Sequence, residues 1–360
     1  MNEPERRTVL ALTDAELATW REAHRKGEAA SALPYGMEEL ERDGTHVIGP
    51  SHAVGGPIRK GFDVWSHRVG LPMEPAVRGI TAARRADAIL CALEQHARAL
   101  SAIAGVPGSP YRRRPVIALT CWLAEELRHL DARDAVALVE RYAAVDRFVF
   151  WSRNQRQIYL DAGISAERLI DVQYGVDTRY YTGDPGARRT IPLLTVGQDR
   201  GRDYPTLWTA IRGTDIVVDV VCPPHRLAPG APPANVTLHG AVGHRRYAQL
   251  LREAAIVVVP THELAYPTGQ SVALEAAASG ACVVVAGTVP MREYFTDGVD
   301  GFLYEPGDPE SLRDAILRAT VSSDRTLIAR AGQGHARERW STARMWADIV
   351  SALDETGIAI

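Results

Sequence analysis

Two uninterrupted runs of apolar residues, Ile256-Val257-Val258-Val259 and Cys282-Val283-Val284-Val285-Ala286, constrain this chain more than any other feature. Neither shows the alternation of a strand with one wet face. Each therefore reads as a strand buried on both faces, the habit of parallel sheets. Between them lie a polar loop and an alanine-rich segment that opens as a helix near Ser271 and carries Glu275 close to its start. Strand, loop, helix and strand make a βαβ unit. The loop presents Thr268, Gly269, Gln270 and Ser271 to the helix's first turn, where unbonded N–H groups and the dipole favour an anion. That is a place for a phosphate.

The rest of the chain repeats the alternation. Strands are predicted at 8–12, 45–48, 88–93, 115–120, 147–151 and 170–174, and again at 193–196, 216–221 and 236–238. Helical stretches fall between them, at 14–28, 37–42, 97–104, 122–129, 134–144 and 154–162, then at 205–211 and 245–254. Gly163 suits the C-cap of the 154–162 helix. Strands alternating with helices argue an α/β fold with an open parallel sheet in each half. At 360 residues the chain exceeds what one core usually supports, so two domains are expected, 1–182 and 183–340. The Gly-, Pro- and charge-rich stretch 182–189 reads as the linker, and 341–360 carries a last helix.

Composition narrows the function by exclusion. A net charge of −3 gives no reason to expect a nucleic-acid partner. The four cysteines, Cys91, Cys121, Cys222 and Cys282, form no C-x-x-C, so neither a metal site nor a disulfide framework is suggested and a cytoplasmic location is expected. The N-terminus lacks an apolar leader core, and no run approaches the roughly 20 apolar residues a transmembrane span needs. No D-x-D, H-E-x-x-H, G-x-S-x-G or P-loop occurs, and Val54-Gly55-Gly56-Pro57 does not sit in a strand–glycine–helix context. Arg112-Arg113-Arg114 reads either as a solvated loop or as a patch for phosphate or peripheral membrane contact.

The ordered set Pro260-Thr261, Glu263, Gly269, Leu274-Glu275-Ala276, Gly280, Glu293, Asp297-Gly298, Gly301 and Pro306-Gly307-Asp308 resembles the donor-binding domain of the retaining glycosyltransferases of family 4. That resemblance implies the GT-B fold, two Rossmann-like domains facing across a cleft, with residues 341–360 packing back on the N-terminal domain. It covers about 145–350 well and the first 140 residues poorly. It implies that Glu275 hydrogen-bonds the ribose hydroxyls of a nucleotide, a task suited to an acceptor-only carboxylate. Gly197 opens the loop in which Arg202 takes the place of the family's phosphate-binding lysine, a change that keeps the charge and alters the geometry. Gln198 stands where the family has an arginine, and Arg200 is a candidate to reach in instead. Gly269, Gln270 and Ser271 complete the expected donor site, with Glu293 beside the donor sugar.

The sequence also departs from that pattern. The family's sugar-binding glutamate has Pro267 at its position, and Glu263 is the nearest acid. The histidine expected after the 115–120 strand is missing from Thr120-Cys121-Trp122. Glu94 and His96, just past the 88–93 strand, are the alternative catalytic candidates, because ligands in open α/β sheets gather at the carboxyl ends of strands. Tyr174 replaces an asparagine before Gly175-Val176-Asp177.

The resemblance thus implies transfer of a sugar from a nucleoside diphosphate sugar to an acceptor hydroxyl, with retention and without a metal. The nucleotide sugar is a co-substrate, and no cofactor is implied. The acceptor, a secondary metabolite or a cell-envelope intermediate, lies in the poorly matched part. Two other readings stay open: a nucleotide-sugar-binding partner protein without turnover, and a GT-B enzyme that couples a non-sugar activated ring or cleaves by phosphorolysis.

Overall fold

The computed structural model describes residues 6–51, 56–227 and 232–360. Residues 1–5, the head of the stretch read above for a leader, and Val54 and Gly55 of the glycine pair lie outside the described residues. The chain divides into two compact units. The first comprises Met1–Lys26, Ser31–Val172 and Trp346–Ile360, and the second Gly27–Ala30 and Gln173–Met345.

The first unit is built on a six-stranded parallel sheet. Its strands are β1 (Thr8–Leu12), β2 (His46–Ile48), β3 (Ala88–Cys91), β4 (Val116–Leu119), β5 (Arg147–Phe150) and β6 (Leu169–Asp171). They lie in the order β2-β1-β3-β4-β5-β6. The sequence turns back across β1 between β2 and β3, so the crevice of an open sheet lies at the carboxyl ends of β1 and β3. Within this unit Trp346, in the last helix (Thr342–Glu355), donates from Nε1 to the Tyr35 carbonyl at 2.8 Å.

The second unit repeats the plan with β7 (Ile191–Val196), β8 (Val218–Val221), β9 (Val236–Leu238), β10 (Ala254–Val259), β11 (Cys282–Ala286) and β12 (Phe302–Tyr304), in the order β12-β11-β10-β7-β8-β9. All neighbours are parallel. The β-branched run of β10 has no polar alternation because both faces are covered. Val257 and Val259 enter one apolar cluster with Ala273, Leu274 and Ala277 of the helix Gln270–Ala278. Ile256 and Val258 enter the opposite cluster with Leu207 and Ile211 of the helix Tyr204–Ile211. Here the strand order reverses between β7 and β10, which places the crevice where the loops after those two strands meet.

Two expectations are corrected. Residues 182–189 are not a linker but part of the second unit. The Arg189 guanidinium donates to the carbonyls of Leu251, Arg252, Ala254, Ser279 and Gly280, at 2.6–3.2 Å. It thereby closes two helix C-termini whose carbonyls have no intrahelical donor. A Cβ on Gly183 would stand 2.2 Å from the Ser279 carbonyl oxygen, so that glycine serves close packing. The boundary falls instead between Val172 and Gln173. Glu275, expected close to the helix start, sits in the second turn, and the first turn holds no acidic residue.

Candidate functional site

The loop after β7 and the loop after β10 are stitched together at the switch point. Arg202 and Thr261 form an antiparallel bridge, Asp203 N–H donates to the Pro260 carbonyl, and His262 N–H donates to the Gly201 carbonyl. Asp203 caps the following helix by accepting from the Thr206 N–H at 3.1 Å and its hydroxyl at 2.6 Å. This stitching fixes the Arg202 side chain, which is only 4% exposed. The guanidinium lies between two glycines. A Cβ on Gly197 would fall 1.9 Å from Arg202 Nε, and one on Gly269 would fall 2.6 Å from Nη1. Both glycines have positive φ, 147° and 77°, which side-chain-bearing residues rarely adopt.

Arg202 is nearly enclosed yet underused. Asp199 approaches Nε at 3.3 Å, but Nε and Nη1 make no hydrogen bond. A buried charged donor without an acceptor costs about 1–3 kcal/mol or more. The deficit is removed by an anion that presents two oxygens to the guanidinium. The helix Gln270–Ala278 begins beside it. Gly269 is its N-cap and offers no side-chain cap, so first-turn N–H groups face the same space. Gln270 is buried with Oε1 unpaired, and Ser271 is half-buried.

One helical turn further on, Glu275 opens onto a cavity of about 300 Å³. Its walls come from residues 196–198 after β7, from Val221 and Pro223 after β8, from 240–242, and from His244, Tyr247 and Val272. The Tyr247 hydroxyl donates to Glu275 Oε2, and the Tyr181 hydroxyl also bonds the carboxylate. Tyr181 lies 2.9 Å from His244 Nε2. A phenol has one proton, so Tyr181 can serve Glu275 only if His244 Nε2–H donates to Tyr181. Burial pushes the Glu275 carboxyl up to about 7, against the lowering effect of Tyr247, Tyr181 and the Arg202 charge. Burial also lowers the His244 imidazole below its usual value. A guanidinium, a helix N-terminus, and a carboxylate beside an apolar slot can together hold an anion joined to a diol and a flat ring.

The other expected residues are placed as follows. Arg200 is exposed, and only Arg202 reaches the glycines. Glu263 is exposed and accepts from the Val289 N–H at 3.1 and 3.2 Å, tying the loop after β10 to the loop after β11. Glu293 is half-buried in a short 3-10 turn, and its carbonyl accepts from Gln173 Nε2 at 2.7 Å. In the first unit, Glu94 accepts from the backbone N–H groups of Cys121 and Trp122. It thus caps the turn after β4, and burial holds its carboxyl above the usual range. His96 is 1% exposed with Nε2 at 3.1 Å from Asp14 Oδ1, at the β1/β3 switch point. Arg112 donates to the carbonyls of Ala104 and Gly105, and Arg114 to that of Arg84, so two of the three arginines at 112–114 serve backbone groups.

Sequence reading missed Tyr181, Tyr247, His244 and the 240–242 wall. The available signal was Gly240-Ala241-Val242-Gly243 between a strand and a helix, a run small enough for close approach by a ligand.

Comparison with known proteins gives the fold its name. The solved structure of HepE from Anabaena in complex with UDP and glucose superposes with a TM-score of 0.67 at 16% identity, covering 97% of this chain and 100% of that one. The trehalose-6-phosphate synthase OtsA superposes with a TM-score of 0.67 at 12% identity, covering 98% and 99%. The fold is GT-B. Residues 211–321 match the family described as Glycosyl transferases group 1, a span that includes Gly269, Glu275 and Glu293 but not Arg202. A D-inositol 3-phosphate glycosyltransferase of Streptomyces griseus is 32% identical over 122 residues. That alignment spans 32% of this chain and 25% of the relative's length. The GT-B frame therefore covers 97–98% of the chain, while the family match falls within the second unit.

Proposed function

We propose that this protein is a glycosyltransferase that transfers a sugar from a nucleoside diphosphate sugar to an acceptor hydroxyl, with retention and without a metal. The observation that carries the reading is the enclosed Arg202 guanidinium, held between Gly197 and Gly269 with two donor groups unpaired, beside the Glu275 cavity. In this reading Arg202 and the start of the Gln270–Ala278 helix take the diphosphate, Glu275 takes the ribose hydroxyls, and the slot between Val221 and Val242 takes the base. A fixed guanidinium and fixed N–H groups also stabilise the charge that grows on the departing diphosphate, with no reorganisation at the moment of bond breaking. The nucleotide sugar reported in complexes of HepE, UDP-glucose, is the first donor to test. Titration calorimetry with UDP-, GDP-, dTDP- and ADP-sugars, followed by product detection, tests the proposal. Absence of nucleotide binding across the panel refutes it.

A second reading, nucleotide-sugar binding without transfer, draws on the engagement of Glu263. Pro267 stands where a sugar-binding carboxylate is expected, and Glu263 is held against the Val289 N–H. Tight binding of a donor with neither transfer nor donor hydrolysis would favour it. If the enzyme does turn over, Glu263→Gln should lower the rate at least about tenfold while leaving nucleoside diphosphate affinity nearly unchanged, the mark of a group recruited in the transition state.

A further inference from the structure

A second cavity, of about 330 Å³, opens in the second unit at the amino ends of its strands. Its wall includes Ala255, near the start of β10, and Cys282, the first residue of β11. The nucleotide site lies beyond the carboxyl ends of the same sheet, so the two cavities are separate. Guanidinium groups dominate this second wall. It takes in Arg188, Arg189 and Arg325 and, among the described residues, no carboxylate. A fourth cation stands close by, because a Cβ on Gly186 of the wall would lie 3.5 Å from Arg330 Nη2. Cys282 adds no chemistry of its own, since burial pushes its thiol up to about 12.

These cations are short of counter-charge. Arg189 gives its donors to main-chain carbonyls, that of Asp184 at 3.1 Å among them, and carbonyls leave the net charge in place. Burial lowers its pKa from the ordinary arginine value, with the Asp184 charge acting the other way. Asp184 is exposed and already accepts from the Gly186 N–H at 2.8 Å. Arg325 donates from Nη1 to the Thr320 carbonyl at 3.2 Å, and its charge acts on the Cys282 thiol. Arg188, Arg325 and Arg330 form no ion pair among the described residues. The helix Arg325–Glu338 begins at the cavity. Its N-cap, Asp324, makes no side-chain cap, and Thr326 of its first turn is in the wall, so unbonded N–H groups add to the same field. A concave wall of one sign concentrates ions of the other. Several guanidinium groups around one space exceed the single charge and two oxygens of a carboxylate, whereas a phosphate group brings up to two charges and three oxygens. We infer that this cavity binds a phosphate group, free or carried by a small molecule, with Arg188 and Arg325 on its oxygens and Arg189 as a fixed charge behind them.

Calorimetric titration at constant ionic strength tests it, in the Arg202→Ala variant of the full chain, whose nucleotide site has lost its own phosphate-facing cation. Inorganic phosphate and glycerol 3-phosphate are the probes, and at least one should bind saturably at a single site. Adding Arg188→Ala and Arg325→Ala together should weaken that binding at least about tenfold. Thr326→Glu, made separately, should weaken it as much by placing an acid in the wall. Thr326 is exposed and its side chain makes no hydrogen bond among the described residues. A glutamate in a first helical turn also favours the fold, so this variant keeps the test decisive if the arginine pair unfolds. An unchanged thermal unfolding midpoint confirms that each variant is folded. Tighter binding of glycerol 3-phosphate assigns the cavity to a phosphorylated small molecule, and equal or weaker binding assigns it to phosphate itself; both uphold the site. No saturable binding of either probe overturns it, as does binding indifferent to all three wall substitutions. UDP binding by the parent reads the nucleotide site separately, so either site can fail without the other.

Discussion

Glu275→Gln should make the unliganded protein more stable near neutral pH and worse at its task. The reason lies in the work of keeping a carboxylate in the cavity. The unfolded chain ionises Glu275 at an ordinary 4.5, whereas burial in the folded protein pushes the carboxyl up to about 7. Between those values the unfolded chain binds fewer protons than the folded one. Stability therefore falls as pH rises through the window, with no loss below 4.5 and the full loss above 7. The gap amounts to about 3 kcal/mol, an upper value because the carboxyl is not wholly enclosed. Glutamine keeps the shape and has no proton to lose.

Urea denaturation near pH 5 and near pH 8 reads this directly. Relative to the parent, the variant should gain roughly 2–3 kcal/mol more at the higher pH than at the lower. Uridine, which carries no titrating phosphate, should bind the variant about 10–150-fold more weakly, as expected for the loss of a charge-assisted pair. A stability difference that is the same at both pH values would refute the reasoning, since the ionised carboxylate would then be as well solvated in the fold as in water. Unchanged uridine affinity would separately remove Glu275 from the ribose site.

Three further outcomes are expected. Tyr247→Phe removes a donor that favours ionised Glu275, so the midpoint of uridine binding against pH, near 7 in the parent with binding stronger above it, should move upward in calorimetric titrations. Arg202→Ala should weaken UDP by about 10–100-fold and uridine hardly at all, and equal losses for both ligands would take Arg202 out of the phosphate site. Gly269→Ala places a Cβ 2.5 Å from Val259 Cγ1 and 2.6 Å from Arg202 Nη1 at a φ of 77°. It should lower the unfolding free energy by about 1–3 kcal/mol in denaturant titration and weaken UDP binding with it.

The parallel-sheet halves were legible because parallel strands buried on both faces leave an unambiguous apolar run, and β1, β9 and β11 begin and end where the residues predict. β12 was overlooked because Phe302-Leu303-Tyr304 is too short to show any period, and its strand character comes from pairing with Val284, Val285 and Ala286. The helix Gly56–Val69 was overlooked for a different reason. Gly56 and Gly61 are poor helix formers, and no core residue marks it. Residues 182–189 failed in the opposite sense. Glycine and proline are the usual signs of a free connection, but here Gly183 and Gly280 are small so that backbones and the Arg189 guanidinium can meet.

The site divides along the same physical line. Gly269, Arg202 and Glu275 stood out as candidates because their chemistry is local: a left-handed turn, a loop cation and a carboxylate on a helix of small residues. What positions them is non-local. Tyr181, Tyr247 and His244 come from other segments and converge on Glu275 only after the sheet has formed, and no spacing in the sequence announces that meeting. Glu94 shows the converse, a carboxylate at a strand end whose location suggested catalysis and whose partners are two backbone N–H groups. A strand end places a side chain near the crevice, but whether its oxygens are free to act depends on the neighbouring turn. The carboxylate that retains a titratable proton near neutrality, in a cavity with an unpaired guanidinium alongside, is Glu275. The proposed function therefore rests on the second unit's switch point, where one residue should cost stability through its buried charge and supply affinity for the ribose.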